Sequence, residues 1–288
     1  MPELPEAEVV AGQLRTALMG ARLTDCWVGR KDIVREGLAS IPWYSGAIVQ
    51  QVQRHGKSVA IRLIKEQAMR YVVAELGMTG LLLFPSAQIK HPQHVHVRMT
   101  FTGGQESEVR YWNPRRFGRL SLLDQEGLDG YIARRFGYDP LTMSLEDFGQ
   151  LLKSRRGRLK PLLMHQQAIA GIGNIYANEI LFRAGLHPNV QADRLSTARI
   201  ERLFRVTQEV LQSAIACGGS SVKDFFAPDG TDGRYKRHHL VYGKEGERCP
   251  NQCGRIIRRL QEERSSFYCP TCQRFTQAHT ATSRRLRK

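Results

Sequence analysis

The sequence predicts an α+β protein in which a leading helix and an antiparallel β-sandwich or barrel precede a helical domain and a small cysteine-rich hairpin. Three observations predict this fold class. Short runs that alternate apolar and polar residues fill residues 21–123, the hydrophobic spacing becomes helical after residue 147, and four cysteines cluster near the end. A chain of 288 residues with 41% hydrophobic content is long enough to bury two separate cores.

The first predicted element is a helix near the N-terminus. Val10, Leu14 and Leu18 recur at a spacing of four residues, which places them on one helix face, and a glycine follows as the helix end. Short alternating runs come next, among them residues 58–63 and 94–101, and breaks that contain glycine separate them. Runs of this kind are typical of an antiparallel sandwich or barrel.

Helical spacing dominates the second half of the chain. Residues 136–147 are predicted to be a linker, and Ser144 with Asp147 forms a capping pattern for the next helix. Residues 160–179 predict two helices joined by a Gly-Ile-Gly turn. A long amphipathic helix that closes at a glycine pair carries these residues on its apolar face: Ile200, Leu203, Phe204, Thr207, Val210, Leu211 and Ala214.

The chain is strongly basic, with 43 Lys and Arg residues against 27 Asp and Glu residues, a net charge of +16 and a pI of about 10.0. Residues 1–144 contain 18 basic and 14 acidic residues, whereas residues 145–288 contain 25 and 13. Such a protein most often binds a polyanion, and nucleic acid is favoured over a membrane because no basic amphipathic anchor is present. A basic protein without a polyanionic partner is the alternative. Because the sequence contains no signal peptide or long apolar run, we expect a soluble intracellular protein.

The N-terminal stretch MPELPE is a candidate for catalysis. Removal of the initiator methionine would expose the secondary amine of Pro2, whose pKa of about 7.7–8.0 leaves a useful fraction neutral and nucleophilic. Its adduct with a sugar carbon can collapse to an iminium, which supports elimination reactions, and Glu3 is the adjacent acid or base. The alternative is an ordinary helix opening, since proline and acidic residues suit the first turn.

Three breaks between the predicted strands carry side chains that a plain turn does not require. Lys57 follows a His-Gly pair, Met78 lies between the glycines of LGMTG, and Arg115 and Phe117 belong to NPRRFG. Ordinary turns and core packing explain each of them alone. Together they match the combination of apolar wedges and a cation that opens a base stack in duplex DNA.

The segment GIGNIYANE provides a candidate phosphate site. Free backbone N–H groups and the positive end of a helix dipole are expected at the helix that begins near Asn174, and Lys160 adds a cation. A glycine-flanked helix hairpin with a purely structural role is the alternative.

The four clustered cysteines predict a metal site. Fifteen residues separate the pair Cys249 and Cys253 from the pair Cys269 and Cys272. Four thiolates hold zinc tetrahedrally without an open position, so we expect one structural Zn²⁺, with a redox dithiol as the alternative. The stretch between the pairs predicts a hairpin with outward basic side chains, Arg264 among them.

Five motifs in this order resemble the bacterial formamidopyrimidine-DNA glycosylase family: PELPEAE, GMTG, NPRRFG, GIGNIYANE, and GGSSVKDF followed by VYG and the cysteines. The resemblance runs from Pro2 to about Gln273. It implies an N-terminal β-sandwich, a C-terminal helix–two-turn–helix domain and a zinc-finger hairpin, with double-stranded DNA in the cleft between the domains. Three residues rather than two separate Cys249 from Cys253, which departs from the family pattern.

The resemblance also implies roles for individual residues. Pro2 is the expected nucleophile on the anomeric sugar carbon, Glu3 is the acid that helps to open the sugar ring, and Glu6 and Lys57 support the site. The side chains expected to fill the space left by a flipped nucleotide are Met78, Arg115 and Phe117. The residues expected to contact DNA phosphates are His94, Lys160, Asn174 and Arg264.

The resemblance therefore predicts a monomeric, bifunctional DNA glycosylase and abasic-site lyase of base excision repair, located at the nucleoid in a bacterial cytoplasm. We expect it to remove 8-oxoguanine and formamidopyrimidines through a Pro2 imine and successive β- and δ-elimination. The alternatives are an endonuclease VIII-like enzyme for oxidised pyrimidines and a non-catalytic zinc protein that binds damaged DNA.

The same resemblance divides the chain into five parts. These are a catalytic sandwich domain at residues 1–135, a linker at 136–147, a helix–two-turn–helix domain at 148–240, a zinc-finger hairpin at 241–275 and a disordered basic tail at 276–288.

Overall fold

The structure is a computed structural model and describes residues 2–221, 225–261 and 263–275. The basic tail predicted at residues 276–288 lies outside the described residues. Among the described residues the α-helices are α1 (Leu4–Leu18), α2 (Ile41–Tyr44), α3 (Gln125–Arg135), α4 (Leu145–Ser154), α5 (Leu159–Met164), α6 (Asn174–Ala184) and α7 (Thr197–Ala216). None of these helices has both the length and the apolar composition that crossing a bilayer requires.

The described strands form one nine-stranded sheet and one two-stranded hairpin. They are β1 (Arg22–Val28), β2 (Val34–Glu36), β3 (Ile48–His55), β4 (Ser58–Lys65), β5 (Ala68–Glu75), β6 (Leu81–Leu83), β7 (Val95–Thr102), β8 (Glu108–Trp112), β9 (Arg119–Leu123), β10 (Arg258–Leu260) and β11 (Ser266–Tyr268). The sheet order is β2-β9-β5-β4-β3-β1-β7-β8-β6, and only the pair β2 and β9 is parallel among the described strands.

Strand β1 joins the two layers of the sandwich. Its first residue, Arg22, pairs with Ile48 of β3 on one side and with Thr102 of β7 on the other. The ladder therefore continues from one layer into the next without a break. Because β1 begins at residue 22 and β9 ends at residue 123, the alternating pattern over residues 21–123 predicted the extent of the sheet, and the predicted α+β fold class is confirmed.

Helix α3 is absent from the sequence prediction. Its segment contains two glycines and buries only Leu128 and Tyr131, so its hydrophobic spacing is too weak to indicate a helix. The helix starts because Oδ1 of Asp124 accepts the N–H of Gly127 at 2.9 Å. Packing of its two buried side chains against the sheet then stabilises the helix.

Helix α1 contributes to both of the two largest hydrophobic cores among the described residues. Val10 and Leu14 are fully buried in the sandwich core, whereas Leu4 is fully buried in the core of the helical domain, beside residues such as Ile172 and Tyr176. Full burial of a leucine side chain stabilises a fold by about 1.5–3 kcal/mol. The N-terminal end of α1 is therefore fixed to the second domain.

The segment after α3 lies against the helical domain. Tyr138 donates its N–H to the carbonyl of Ala168 at 3.1 Å and accepts the N–H of Ala170 at 2.8 Å. Ser144 caps α4 as predicted, since its Oγ accepts the N–H of Asp147 at 3.0 Å. The domain boundaries given above stay predictions.

The cysteine hairpin is attached to the helical domain through Glu179 of α6. This residue is fully buried, and its carboxylate accepts the three consecutive N–H groups of residues 240–242 at 2.8, 3.0 and 2.9 Å. Three charge-assisted hydrogen bonds fix the backbone that leads into the hairpin.

Arg54, near the end of β3, connects helix α1 with the segment after α3. Its side chain is only 5% exposed and binds the carboxylates of Glu8 and Asp139. The contact to Glu8 measures 2.9 Å, and a third N–H reaches the carbonyl of Gly56 at 3.2 Å. One guanidinium thus satisfies acceptors from three parts of the chain.

We expect Arg54→Met to lower the free energy of unfolding by about 2–3 kcal/mol, because two partly buried carboxylates lose their cation. The carboxylates are a quarter exposed, which keeps the loss below that of a fully buried pair. Arg30→Met is the control, since it removes an exposed ion pair to Asp32 and should leave stability nearly unchanged. Denaturant unfolding measures both, and similar losses for the two variants would contradict the role of Arg54.

A candidate active site at the start of helix α6

The carboxylate of Glu3 lies at the N-terminus of helix α6. It accepts the backbone N–H groups of Gly173, Ile175 and Tyr176 at 2.8, 2.9 and 3.3 Å. Glu3 is only 2% exposed, so three donors and the positive end of the helix dipole compensate its charge instead of water. Pro2 is buried directly before Glu3, and the contact that fixes Glu3 therefore also fixes Pro2.

Two glycines allow the N-terminal segment to approach this closely. A Cβ on Gly173 would lie 2.3 Å from Cδ of Glu3, and a Cβ on Gly171 would lie 2.6 Å from Cβ of Leu4. Leu4 also donates its N–H to the carbonyl of Gly171 at 2.9 Å. The φ of Gly171 is +89°, in the left-handed region that favours glycine. The Gly-Ile-Gly turn is thus shaped to receive residues 3 and 4.

Glu6 is the second buried carboxyl of the site. Its Oε2 accepts the N–H of Glu3 at 2.8 Å, and its Oε1 accepts the O–H of Tyr176 at 2.6 Å and the N–H of Ser220 at 2.7 Å. Burial raises the pKa of Glu6 and the nearby charge of Glu3 raises it further, while the three hydrogen bonds lower it. Glu6 therefore keeps its proton to a higher pH than an exposed glutamic acid does.

The expectation of free backbone donors at GIGNIYANE is wrong for three of its N–H groups. The N–H groups of Gly173, Ile175 and Tyr176 are taken by Glu3, which precedes them by 170 to 173 residues. Asn174 is half-buried, and its carbonyl and Oδ1 accept Nδ2 of Asn178 at 2.6 and 3.4 Å. The phosphate contact expected for Asn174 stays a prediction.

A cavity of about 620 Å³ opens beside Gly173, and Lys57, Lys160 and Arg264 all line it. Lys57 projects from the turn between β3 and β4, whereas Arg264 belongs to the hairpin. Burial lowers the pKa of Lys57; the charge of Glu3 opposes this shift, and the charge of Arg264 adds to it. The cavity therefore brings together basic residues from three separate sequence motifs.

Lys160 docks the hairpin beside the cavity, a role that the sequence did not predict. Its side chain is 3% exposed, and Nζ donates to the carbonyls of Arg264 and Ser265 at 3.3 and 2.8 Å and to Oγ of Ser266 at 2.9 Å. These contacts hold the backbone from which the exposed Arg264 side chain projects. The phosphate contact expected for Lys160 stays a prediction.

Met78, Arg115 and Phe117 project from two adjoining loops of the sandwich. Met78 is 40% exposed and Phe117 is 56% exposed, which excludes the alternative that they pack in the core. Arg115 is exposed as well, and its guanidinium carbon lies 5.1 Å from the ring centroid of Phe117. The three side chains are grouped at one exposed edge.

The loops that carry these side chains are braced against each other. Nδ2 of Asn113 donates to the hydroxyl of Tyr111 at 3.1 Å and to the carbonyl of Gly118 at 3.2 Å. The Tyr111 hydroxyl donates in turn to the carbonyl of Glu75 at 2.7 Å. A Cβ on Gly77 would lie 2.5 Å from the nitrogen of Gly118, so the two loops touch through their backbones. These contacts restrict movement of the loops, so the exposed side chains keep their positions when a ligand binds.

His94 lies on a short turn that precedes β7. Its ring centroid is 6.3 Å from that of His96 and 6.5 Å from that of Trp112. It lines a second cavity, of about 520 Å³, together with Arg30 and Arg116. The basic surroundings suit an anion, and the phosphate role of His94 stays a prediction.

The four cysteines come together at the base of the hairpin, where their Sγ atoms lie within 4.8 Å of one another. The Sγ atoms of Cys249 and Cys272 are 3.7 Å apart, and those of Cys253 and Cys269 are 3.4 Å apart. Four sulfurs at about 2.3 Å from a tetrahedral Zn²⁺ would be about 3.8 Å apart, so the donor set fits this ion. The group can hold a metal ion.

The backbone accommodates the extra residue between the first two cysteines. Gln252 and Gly254 have φ values of +52° and +75°, which turn the chain sharply around Cys253. Cys249 donates its N–H to the carbonyl of Arg255 at 2.8 Å and thereby closes the loop.

Tyr176 and Ser220 contact Glu6, although the sequence did not assign them a role. Both occur in motifs noted above, but a motif does not show which of its side chains reaches a carboxyl elsewhere in the chain. The glycine before Ser220 is the sequence feature that indicates this contact. Gly219 has a φ of +80°, and a Cβ there would lie 3.0 Å from Oε1 of Glu6. Close approach of backbone to the site explains this glycine.

Comparison with known proteins agrees with this architecture. A model described as the formamidopyrimidine-DNA glycosylase N-terminal domain matches residues 1–120, and one described as the formamidopyrimidine-DNA glycosylase H2TH domain matches residues 136–226. The formamidopyrimidine-DNA glycosylase of Gluconobacter oxydans is 37% identical over 289 residues, which covers 95% of this chain and 100% of that protein. The protein of the same name from Pelotomaculum thermopropionicum is 34% identical and covers 95% and 99%.

Solved structures give the same result. The MutM (Fpg) protein of Thermus thermophilus has a TM-score of 0.81 and 34% identity, with 94% of this chain and 98% of that chain covered. The Lactococcus lactis Fpg in complex with DNA that contains an abasic site has a TM-score of 0.83 and 28% identity, with 95% and 100% covered.

Both halves of the chain match DNA glycosylase domains, and the buried carboxyl pair lies where these halves meet; the protein is a DNA glycosylase of the base excision type. The matches extend over 95% of the sequence. The chain belongs to the formamidopyrimidine-DNA glycosylase family, of which abasic-site lyase activity is a part. This result favours the predicted function over the endonuclease VIII-like enzyme and the non-catalytic zinc protein.

We expect Gly173→Ala to displace the Glu3 carboxylate, because the new methyl group would overlap its Cδ. A displacement of about 1 Å at a catalytic centre costs about 100-fold in rate, so base excision should fall by about this factor. Gly149→Ala in α4 is the control, since a Cβ there would meet no atom nearer than 3.7 Å. Single-turnover excision measures both variants, and a wild-type rate for Gly173→Ala would contradict the proposed fit.

Proposed function

We propose that this protein removes oxidised purines, namely 8-oxoguanine and formamidopyrimidines, from double-stranded DNA and then cleaves the strand at the abasic site. The observation that carries this proposal is the contact between Glu3 and the start of α6, because Gly173, whose N–H binds Glu3, also lines the basic cavity. A mutant Lactococcus lactis Fpg solved with DNA containing Fapy-dG supports the choice of lesion. We assign the protein to the nucleoid in a bacterial cytoplasm.

The chemistry begins at the amine that Pro2 exposes once the initiator methionine is removed. This nitrogen attacks C1′ of the flipped nucleotide, and the bond from C1′ to the damaged base breaks. The base leaves with the bonding electron pair and takes a proton from water. The Glu3 carboxylate accepts the proton that the Pro2 nitrogen loses and passes it to O4′, so that the sugar ring opens and an iminium links Pro2 to the sugar. The three backbone donors on Glu3 keep its carboxyl oriented during this step.

Strand cleavage follows from the iminium. The positive nitrogen acidifies the C2′ proton, and its removal expels the 3′ phosphate by β-elimination. A second elimination expels the 5′ phosphate. We assign proton transfer in these steps to Lys57, because burial lowers the pKa of its amine and leaves more of it neutral than for an exposed lysine. Glu6 orients the site by accepting the N–H of Glu3.

The exposed side chains Met78, Arg115 and Phe117 would fill the space that the flipped nucleotide leaves. Extrusion of a base costs a few kcal/mol of stacking and pairing, and side chains that enter the vacancy recover part of it. The cation of Arg115 can hydrogen-bond the base that has lost its partner.

Phosphate contacts are assigned to His94, Lys160, Asn174 and Arg264. Arg264 is an exposed cation at the cavity, and Lys160 supports it by binding the carbonyl of residue 264. The net charge of +16 favours this partner because each phosphate that the protein neutralises releases a counterion from the DNA.

We propose a single structural Zn²⁺ at Cys249, Cys253, Cys269 and Cys272. Four thiolates leave no open coordination position, so the ion would hold the hairpin and take no part in the reaction. The short distances between the sulfur atoms support this assignment.

Borohydride trapping tests the proposed chemistry. With wild-type protein and duplex DNA that contains a formamidopyrimidine, reduction should link protein and DNA covalently, because borohydride reduces the iminium. Pro2→Gly, or protein that retains Met1, should lose the adduct and keep DNA affinity. Undiminished trapping by protein with an intact Met1 would exclude Pro2 as the nucleophile.

We expect Met78→Ala and Phe117→Ala to fold normally, since both side chains are exposed, and to excise a paired lesion slowly. Cleavage of an abasic site in single-stranded DNA should be unchanged, because no base stack has to be opened there. Met69→Ala is a matched control, as Met69 is also 40% exposed but lies on β5. Equal losses on paired and single-stranded substrates would contradict the wedge.

Cys269→Ser should abolish stoichiometric zinc binding and weaken DNA affinity, because Cys269 is fully buried and the hairpin that carries Arg264 would lose its anchor. Cys26→Ser, outside the cluster, should retain both properties. Metal analysis and DNA titration measure them, and normal zinc content in Cys269→Ser would refute the ligand set.

A further inference from the structure

His239 is a buried histidine that none of the assigned roles includes. It is 4% exposed and lies between the turn Tyr235–His238 and the backbone that Glu179 holds. Its ring centroid is 5.9 Å from that of Tyr235 and 5.8 Å from that of Tyr242. The ring is therefore confined on two sides, and the backbone that follows it is fixed.

The ring of His239 is connected to the buried acids through Ser220. Its Nε2 lies 2.9 Å from Oγ of Ser220, within hydrogen-bond distance. The backbone N–H of Ser220 donates to Oε1 of Glu6, whose Oε2 accepts the N–H of Glu3. A continuous series of three hydrogen bonds thus runs from the histidine to the residue beside Pro2.

The ring is suited to hold a neutral hydroxyl. Burial lowers the pKa of His239 to about 4, and the charges of Lys244, Lys236 and His238 act in the same direction. A neutral imidazole offers one N–H and one lone pair, and a hydroxyl can satisfy either nitrogen. The hydrogen bond between His239 and Ser220 therefore joins two neutral groups.

The backbone before Ser220 is also held by other contacts: Gly219 donates its N–H to the carbonyl of Ala214 at 2.8 Å and accepts the N–H of Tyr235 at 2.9 Å. Gly218 and Gly219 directly precede Ser220, and both have positive φ values, +77° and +80°. Glycine pairs restrict the backbone weakly. The hydroxyl of Ser220 adds a side-chain contact, to His239, that helps to fix the N–H bound to Glu6.

We propose that His239 is a positioning residue for base excision: by binding Ser220 it holds the N–H that orients Glu6, and through Glu6 it orients Glu3. This inference rests on the proposed function, since it assigns His239 to the step that uses Glu3. The sugar of a preformed abasic site opens without proton transfer from Glu3. Cleavage of that site therefore depends less on the orientation of Glu3.

Single-turnover rates on two duplex substrates test the proposal, one with a formamidopyrimidine and one with an abasic site. His239→Ala should slow excision about fivefold, the effect of one lost hydrogen bond, and leave abasic-site cleavage within about twofold. His239→Gln should restore most of the excision rate, because its amide can reach the Ser220 hydroxyl. His238→Ala, an exposed neighbour, is the matched control.

Ser220→Ala removes the same bond and retains the histidine ring, so it tests the proposal even where His239→Ala folds poorly. It should slow excision by the same factor, and adding His239→Ala to it should cause no further loss. A wild-type excision rate in Ser220→Ala, equal losses on both substrates, or additive losses in the double variant would overturn the proposal. Absence of excision and of borohydride trapping in wild-type protein would instead refute the proposed function.

Discussion

The hydrogen bonds between the Glu3 carboxylate and the start of helix α6 are the constraint on which the rest of the structure depends. They join residues 170 or more positions apart and bury a charge that the N–H groups and the dipole of a helix end satisfy. Because Leu4 packs in the helical core while the rest of α1 packs in the sandwich core, one helix holds both domains. Lys57 from the sandwich and Arg264 from the hairpin can then line one cavity.

The site combines a buried acidic pair with a basic cavity, and the two parts have different functions. A polyanionic ligand is attracted by the cations that line the cavity, whereas reaction at a sugar carbon requires proton transfer close to the nucleophile. Burial of Glu3 and Glu6 separates the two parts, since the carboxyls make their hydrogen bonds to the protein and are shielded from solvent. Two glycines make this separation possible by letting residues 3 and 4 enter the second domain.

Local sequence patterns predicted most helices and the extent of the sheet, but they did not predict the contacts between residues far apart in the sequence. The periodicity of α1 and α7, the extent of the sheet and the Ser144 cap depend on neighbours in sequence, and all were predicted. Helix α3 was missed because its packing against the sheet, not its weak apolar spacing, stabilises it. Three N–H groups of the motif GIGNIYANE bind Glu3, and this partner is recognisable only in three dimensions. The motif resemblance predicted the family, but no pattern indicated the docking of Lys160 on the hairpin.

The shared helix α1 also determines when the protein becomes active during its synthesis. Residues 3 and 4 leave the ribosome first, yet their partners follow some 170 residues later. At a typical rate of about 5–20 residues per second, this interval lasts about 9–34 s. Throughout it, the nascent sandwich carries an exposed leucine and an unpaired carboxylate. The buried pair of Glu3 and Glu6 can assemble only after the second domain has emerged, so a partly synthesised chain has the N-terminal residues of the site without the partners that orient them.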